Sequence, residues 1–216
     1  MNLRMHLSEF LGTMFLNLAI IGAASIATDL TNDGALRLLI ITIASMSVLS
    51  LSITLFQPIS GAHFNPVVTL IAFVNKQMSA KDAFLFMLSQ ILGGIVGALI
   101  SAAMFGLQLF AVSDISRDGS RFLLAEVVST AGLLFTIMVS IYNGKPETLN
   151  RTVPLWIIGA YFFTSSTSFA NPAVAIGRIF TEGIAGISPQ SALSFIGAQV
   201  VGGFAGLYLA KAVKKH

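Results

Sequence analysis

Two turn-rich stretches, SGAHFNPV at residues 60–67 and TSFANPAV at residues 167–174, interrupt an otherwise apolar chain. Each contains an Asn-Pro pair followed by a short apolar run. Asparagine favours the N-cap of a helix, and proline favours its first turn, where the missing N–H loses no hydrogen bond. The pattern predicts short helices over Asn65–Val74 and Asn171–Thr181, each about 15 Å long, or half the thickness of a bilayer core. We interpret them as two half-helices that enter a membrane from opposite faces.

The composition indicates a membrane protein. Of the 216 residues, 55% are hydrophobic and only 10% are charged, and the mean hydropathy is +0.86. Soluble domains carry roughly 25% charged residues. The chain has no cysteine, which excludes disulfides, thiolate metal sites and cysteine nucleophiles. The net charge of +3 is too small to indicate nucleic-acid binding.

Six further apolar segments are long enough to cross about 30 Å of hydrocarbon. They cover residues 7–28, 36–57, 81–107, 121–142, 152–167 and 189–211. The first segment contains Glu9 and shows no small-x-small cleavage site, so we interpret it as a retained helix and not as a signal peptide. The linkers are too short to separate domains. We predict an all-α membrane protein, with six transmembrane helices and two re-entrant half-helices in one domain over residues 1–216.

The basic residues predict the orientation in the membrane. An inside N-terminus places eight of the twelve on the inner side: Arg4, Lys76, Lys81, Lys145, Arg151, Lys211, Lys214 and Lys215. The outer side then carries the remaining four: Arg37, Arg117, Arg121 and Arg178. Because cytoplasmic loops are enriched in lysine and arginine, this distribution predicts that both termini are cytoplasmic.

Three sequence markers recur in the same order in the two halves of the chain, approximately residues 1–110 and 120–216. LSEFLGT at 7–13 matches LAEVVST at 124–130, FNPV at 64–67 matches ANPA at 170–173, and QILGGIVG at 90–97 matches QVVGGFAG at 199–206. Each half contains three full spans, an odd number, so the second half is inverted relative to the first. Inverted repeats place a binding site near the middle of the bilayer, between the halves.

With these motifs the chain resembles the major intrinsic proteins, the aquaporin and aquaglyceroporin channels, over nearly its whole length. The resemblance implies a right-handed bundle of six helices and two half-helices, with one pore in each subunit and usually four subunits. It further implies a homotetramer in the lipid bilayer of a bacterial inner membrane. Small neutral solutes and water would be its partners, and no cofactor, metal or nucleic acid is expected.

The resemblance suggests a role for each polar residue in the apolar segments. Asn65 and Asn171 would cap the half-helices and turn their amides toward the centre of the pore, although either could be only a cap. Glu9 and Glu126 would accept hydrogen bonds from the re-entrant loops, with proton transport as the alternative. His63 resembles a pore-wall histidine that could gate with pH. No second histidine lies near enough in the sequence to suggest a metal site.

The chain departs from the family in its second motif, which is usually Asn-Pro-Ala-Arg. Here Val174 replaces the arginine, and counting without gaps assigns the other selectivity-filter positions to Ser45, Gly159 and Ser168. These residues predict a wide, uncharged filter. Arg178, one helical turn after Val174, faces roughly the same way. It would place a charge at the outer mouth or would be a snorkelling surface arginine.

These features favour a passive channel for neutral hydroxylated solutes larger than water. Arsenite or antimonite as the protonated acid comes first, because bacterial relatives with a valine at this position resemble metalloid channels; glycerol and urea come next. One alternative is a water-selective channel. Another is a secondary transporter, for which Glu9 and Glu126 are the only candidate ion-coupling groups. No constellation of side chains indicates an enzyme.

Overall fold

The computed structural model describes residues 3–214, and all regular structure within them is helical. There are eight α-helices: α1 (Leu3–Leu30), α2 (Gly34–Ser60), α3 (Pro66–Val74), α4 (Ala80–Met104), α5 (Ser120–Tyr142), α6 (Leu149–Phe163), α7 (Pro172–Arg178) and α8 (Pro189–Ala212). Four terminal residues lie outside the described range: Met1, Asn2, Lys215 and His216. One of them, Lys215, is among the basic residues on which the predicted orientation rests.

Five of the eight helices, α1, α2, α4, α5 and α8, are long and apolar enough to cross a membrane. The sixth span, α6, has 15 residues and extends from a 3₁₀ turn at Pro146–Thr148. Turn and helix together measure about 28 Å, which is close to the hydrocarbon thickness. The two short helices, α3 and α7, begin at the two Asn-Pro pairs, as the sequence predicts.

Several helix ends lie up to four residues from the predicted positions, and those of α6 and α7 bear on the site. Helix α6 covers Leu149–Phe163 and not residues 152–167, and the Thr164 hydroxyl donates to the Ala160 carbonyl at its C-terminal end. Helix α7 ends at Arg178 and not at Thr181, so it is seven residues long. The chain after Phe163 is needed as an extended loop, since it supplies the donors that a buried carboxylate accepts.

Pro154 lies inside α6 without leaving a polar group unpaired. A proline in a helix frees the carbonyl four residues earlier, because it has no N–H to donate. Here that carbonyl belongs to Asn150, and the Ser50 hydroxyl of α2 donates to it at 2.8 Å. The same serine-to-carbonyl contact joins α2 to α6 across the two halves of the molecule.

The two halves pack in the same way around matched glycines. Helix α1 packs on α4 and α2, and the equivalent helix α5 packs on α8 and α6. A Cβ on Gly97 of α4 would collide with the Met14 carbonyl of α1, and a Cβ on Gly206 of α8 would collide with the Ala131 carbonyl of α5. Small residues therefore let each helix pair approach to backbone contact, as is common in membranes.

Candidate functional site

The first re-entrant loop is held by Glu9, which is fully buried in α1. Its Oε1 accepts hydrogen bonds from the Ser60 hydroxyl at 2.6 Å and the His63 N–H at 3.0 Å. Its Oε2 accepts from the Phe64 N–H at 2.7 Å and the Gln90 amide at 2.6 Å. Four donors satisfy the carboxylate, which is what a buried charge requires.

The second re-entrant loop is held in the same way by Glu126, which is fully buried in α5. Its Oε1 accepts from the Ser166 hydroxyl at 2.6 Å and the Phe169 N–H at 3.0 Å. Its Oε2 accepts from the Ala170 N–H at 2.9 Å and the Gln199 amide at 2.6 Å. The sequence markers thus correspond to equivalent side chains that make equivalent contacts in both halves.

The two Asn-Pro corners meet each other at the centre of the molecule. Asn65 Nδ2 donates to the Ala170 carbonyl at 2.7 Å, and Asn171 Nδ2 donates to the Phe64 carbonyl at 2.8 Å. Phe64 and Ala170 have φ values of 50° and 47°, and this left-handed turn lets each loop accept the opposite amide. Both asparagine Oδ1 atoms cap their own half-helix. One N–H of each amide remains for a solute, because an amide nitrogen carries two donors.

Both asparagines lie in the wall of a cavity of about 570 Å³. Its lining is mostly apolar and comes from α1, α2, α5 and α6 together with the two half-helices and their loops. On α6 the lining residues are Leu149, Val153, Ile157 and Tyr161, spaced four apart on one helical face. Glu9 and Glu126 are not in the wall. A largely apolar cavity with two amides in its wall suits the passage of a small solute that exchanges hydrogen bonds with those amides.

The predicted filter residues do not all reach this cavity. Val174 and Ser168 line it, and the Ser168 hydroxyl lies 2.9 Å from the Ser129 hydroxyl. Ser45 is fully buried, donates to the Ile41 carbonyl at 2.6 Å and is not in the wall. Gly159 is not in the wall either, because it lies about 200° around α6 from Ile157. Counting without gaps assigned the filter position of α6 to Gly159, whereas the residues of α6 on either side of it that face the cavity are Ile157 and Tyr161.

Arg178 lines the cavity at its outer end, defined here as the end nearest the loops 105–119 and 179–188. It is only 5% exposed, so it is not a snorkelling surface arginine. Its Nε donates to the Ala185 carbonyl, and its guanidinium lies 3.6 Å from the centroid of the Phe169 ring. Tyr161, near the C-terminal end of α6, is also in the wall. The outer end therefore carries a charge and an aromatic ring, not only small neutral residues.

His63 lines the inner half of the cavity, as part of the first re-entrant loop. Its Nδ1 lies 3.1 Å from the Thr69 hydroxyl, which also accepts from the Gln90 amide at 2.9 Å. Its ring packs edge-on against Phe86. Within residues 3–214 no group of three or more histidine, aspartate or glutamate side chains is placed to hold a metal ion.

Sequence reasoning missed Tyr161 and the glutamines that anchor the two carboxylates. The signal for Tyr161 was present, because Leu149, Val153, Ile157 and Tyr161 form an apolar stripe at helical spacing. Gln90 and Gln199 stood in the repeated glycine blocks, where they mark the same position of α4 and α8. Their role was not evident because their partners lie far away along the chain.

Known proteins resemble this chain in sequence and in structure. The family described as "Major intrinsic protein" matches residues 1–169. The aquaglyceroporin AqpS of Rhizobium meliloti (strain 1021) is 38% identical over 95% of this chain and 88% of its own length. The aquaglyceroporin of Toxoplasma gondii (strain ATCC 50611 / Me49) is 30% identical over 85% of this chain and 67% of its own, and the aquaporin TIP2-3 of Arabidopsis thaliana is 28% identical over 95% and 86%.

The fold is also similar to a solved structure. The X-ray structure of the aquaglyceroporin from Plasmodium falciparum superposes with a TM-score of 0.78, covering 100% of this chain and 96% of that one at 19% identity. The predicted all-α fold is confirmed by this match and by the eight described helices, of which five are long and apolar enough to cross a membrane.

Proposed function

Because this chain belongs to the major intrinsic protein family, whose members are channels and not enzymes, we propose that it is a passive channel for small neutral solutes. Metalloid acids such as protonated arsenite or antimonite are the foremost solutes, and glycerol and water also pass. The observation that carries the proposal is the wall of the cavity at the head of α7. There Val174, which is 2% exposed, stands where the family usually has an arginine.

Three further features support a neutral solute. The wall is mostly apolar, so an ion passing it would lose hydration without compensation. The amides of Asn65 and Asn171 are both in the wall, and each keeps one N–H that can donate to a hydroxyl group. Two of the relatives described above carry the name aquaglyceroporin, which supports polyhydroxyl solutes. A protonated metalloid acid is a small neutral molecule with several hydroxyls and meets the same requirements.

A transporter is disfavoured by the position of the two carboxylates. Glu9 and Glu126 lie outside the cavity wall, and each is engaged by four hydrogen bonds to its loop. A group that carries protons with the solute has to meet the solute path. We infer that both glutamates support the loops.

A water-selective channel is the second candidate, and the outer end of the cavity favours it. Tyr161 and Arg178 together place an aromatic ring and a guanidinium there. Such a pair narrows the passage and offers donors that water uses as readily as a polyol. The two candidate channels differ in their permeability to solutes larger than water.

We further propose a homotetramer in a bacterial inner membrane with both termini cytoplasmic. The rhizobial relative supports the membrane. The excess of basic residues on the inner side supports the orientation.

Stopped-flow light scattering of proteoliposomes tests the proposed solute. Wild-type protein is expected to pass glycerol and arsenite as well as water. Val174→Arg is expected to shift the spectrum toward water, because a guanidinium would occupy the cavity wall just beyond the asparagines. Val174→Met is the matched control, since methionine, like arginine, has a long unbranched stem but carries no charge. Equal solute spectra for the two variants and wild type would show that position 174 is not part of the filter.

A further inference from the structure

Arg178 is a buried charge with unused hydrogen-bonding capacity. Within residues 3–214 no carboxylate lies within ion-pair distance of it, and its single hydrogen bond to the protein is made by Nε. A guanidinium carries five N–H donors, so the four on the two Nη atoms have no protein partner. Neither Nη atom is a fully buried atom without a hydrogen-bond partner. Both therefore border the open space of the cavity that Arg178 lines.

The guanidinium is fixed in place by contacts on its other sides. The Phe169 ring lies against its flat face at 3.6 Å, and the Ala185 carbonyl holds Nε. Phe169 is itself held, because its N–H donates to Glu126 and its ring packs edge-on against Phe195 at 5.2 Å. A buried arginine whose stem and Nε are immobilised and whose remaining donors face a cavity is arranged to bind something that enters the cavity.

Tyr161 lies in the wall of the same cavity. It is 4% exposed and is the last residue of the cavity-facing stripe of α6. Arg178 is the last residue of α7 in the wall, and both helices run toward the outer end of the cavity. The tyrosine and the guanidinium therefore border the cavity at the same end.

We propose that Arg178 and Tyr161 form the selectivity filter of this channel, with Arg178 binding the hydroxyl oxygens of a passing neutral solute and Tyr161 setting the width. The inference rests on the proposed function, since it assumes that solutes cross this cavity. Arg178, one turn further along α7, thus takes the place of the arginine that is absent from position 174. The positive charge remains at the outer end of the pore, where it repels cations, and Val174 leaves room just inside it.

The second arginine beside the same ring provides a control. Arg117 lies 5.2 Å from the Phe169 centroid, but it is not in the cavity wall. Its Nε donates to the Gly186 carbonyl at 3.0 Å and its Nη2 to the Ile184 carbonyl at 2.8 Å. It shares the charge and the ring contact of Arg178 but lies outside the cavity wall.

The test compares the ratio of glycerol to water permeability, and of arsenite to water permeability, in proteoliposomes. A ratio cancels differences in the amount of folded protein, so a merely structural role would leave it unchanged. Arg178→Met, which removes the donors at similar size, is expected to lower both ratios by about tenfold or more, the scale of a lost hydrogen bond to a charged group. Arg178→Gln keeps two donors and is expected to lie between that variant and wild type.

Tyr161→Ala widens the passage without touching the arginine and is expected to raise both ratios. Arg117→Met is expected to leave them at the wild-type value. Unchanged ratios in Arg178→Met and Tyr161→Ala would overturn the proposal, and so would an Arg117→Met effect as large as that of Arg178→Met. If neither Arg178 variant gives folded protein, an unchanged ratio in Tyr161→Ala is sufficient to overturn it. Wild-type protein that passes neither glycerol nor arsenite would instead contradict the proposed solutes, while the water and cation permeabilities of the variants would still report on the filter.

Discussion

At the scale of single residues, the two buried glutamates explain how irregular backbone persists at the middle of a membrane. Each re-entrant loop leaves N–H groups that have no helical partner, and in a low-dielectric environment an unpaired N–H is costly. Glu9 and Glu126 each accept two backbone N–H groups together with one serine and one glutamine. The carboxylates are therefore structural ligands of the loops that place Asn65 and Asn171.

Replacing one of these carboxylates should destabilise the whole protein. Glu126→Ala leaves four buried donors without an acceptor and is expected to reduce the free energy of unfolding by on the order of 3 kcal/mol or more. Unfolding in mixed micelles titrated with an anionic detergent measures this change. Asp114→Ala is the control, because Asp114 is exposed and its removal is expected to change the stability by less than about 0.5 kcal/mol. A loss no greater than that of the control would show that Glu126 does not hold the loop.

A second prediction at this scale concerns Asp118, in the loop before α5. The hydrogen bonds from the Ser116 and Ser191 hydroxyls lower the pKa of this carboxyl, outweighing its slight desolvation. A carboxyl with a lower pKa when folded stabilises the fold above its unfolded-state pKa and loses that contribution as the pH falls through the folded-state pKa. The contribution is small because the side chain is exposed.

Hydrogen exchange of residues 113–118 tests this link between the loop and α8. Exchange, corrected for its intrinsic dependence on pH, is expected to rise in this segment as the medium is acidified below the usual range of an aspartate. Asp118→Asn, which cannot ionise, is expected to abolish the pH dependence. Protection that follows the same acid profile in Asp118→Asn and wild type would contradict the assignment.

At the scale of helices, the sequence predicted the order of the eight α-helices but not the 3₁₀ turn at Pro146–Thr148, and the other differences lie at helix ends. Asn-Pro pairs, apolar segments and repeated glycines are local signals, so they place α3, α4, α7 and α8 within a few residues. The chain after α6 has to supply the donors that Glu126 accepts, and these contacts join residues about forty positions apart. The same limit explains why the gap-free count gave Gly159 a filter position while Tyr161 lines the cavity.

The glycine contacts give a prediction for helix packing. Gly97→Ala places a methyl group against the Met14 carbonyl and is expected to cost about 1–3 kcal/mol, because backbone cannot move aside as a side chain can. Gly197→Ala in α8 is the matched change, since nothing lies within 4 Å of its Cβ position, and it is expected to be neutral or slightly stabilising. Thermal unfolding in detergent compares them. Equal effects of the two substitutions would mean that α1 and α4 do not approach as closely as described.

At the scale of the whole molecule, the two halves share one scaffold and differ where selectivity arises. Matched glutamates, glutamines, glycines and asparagines build the centre of the pore from equivalent parts. The residues that distinguish this chain, Val174, Tyr161 and Arg178, all lie in the second half, at the outer end of the cavity. The sequence revealed the shared scaffold through its repeat. Val174, Tyr161 and Arg178 have no counterpart in the repeat, so only the structure places them together in the wall of the cavity.

The central claim is that neutral solutes cross this cavity passively, and one flux measurement tests it most directly. Proteoliposomes containing the wild-type protein are exposed to an inward gradient of glycerol or of arsenite at neutral pH, and the swelling rate is followed by light scattering. The rate is expected to exceed that of empty liposomes, to scale with the solute gradient and to be unaffected by a protonophore or an imposed proton gradient. Swelling no faster than in empty liposomes, or uptake that follows the proton gradient, would contradict the account.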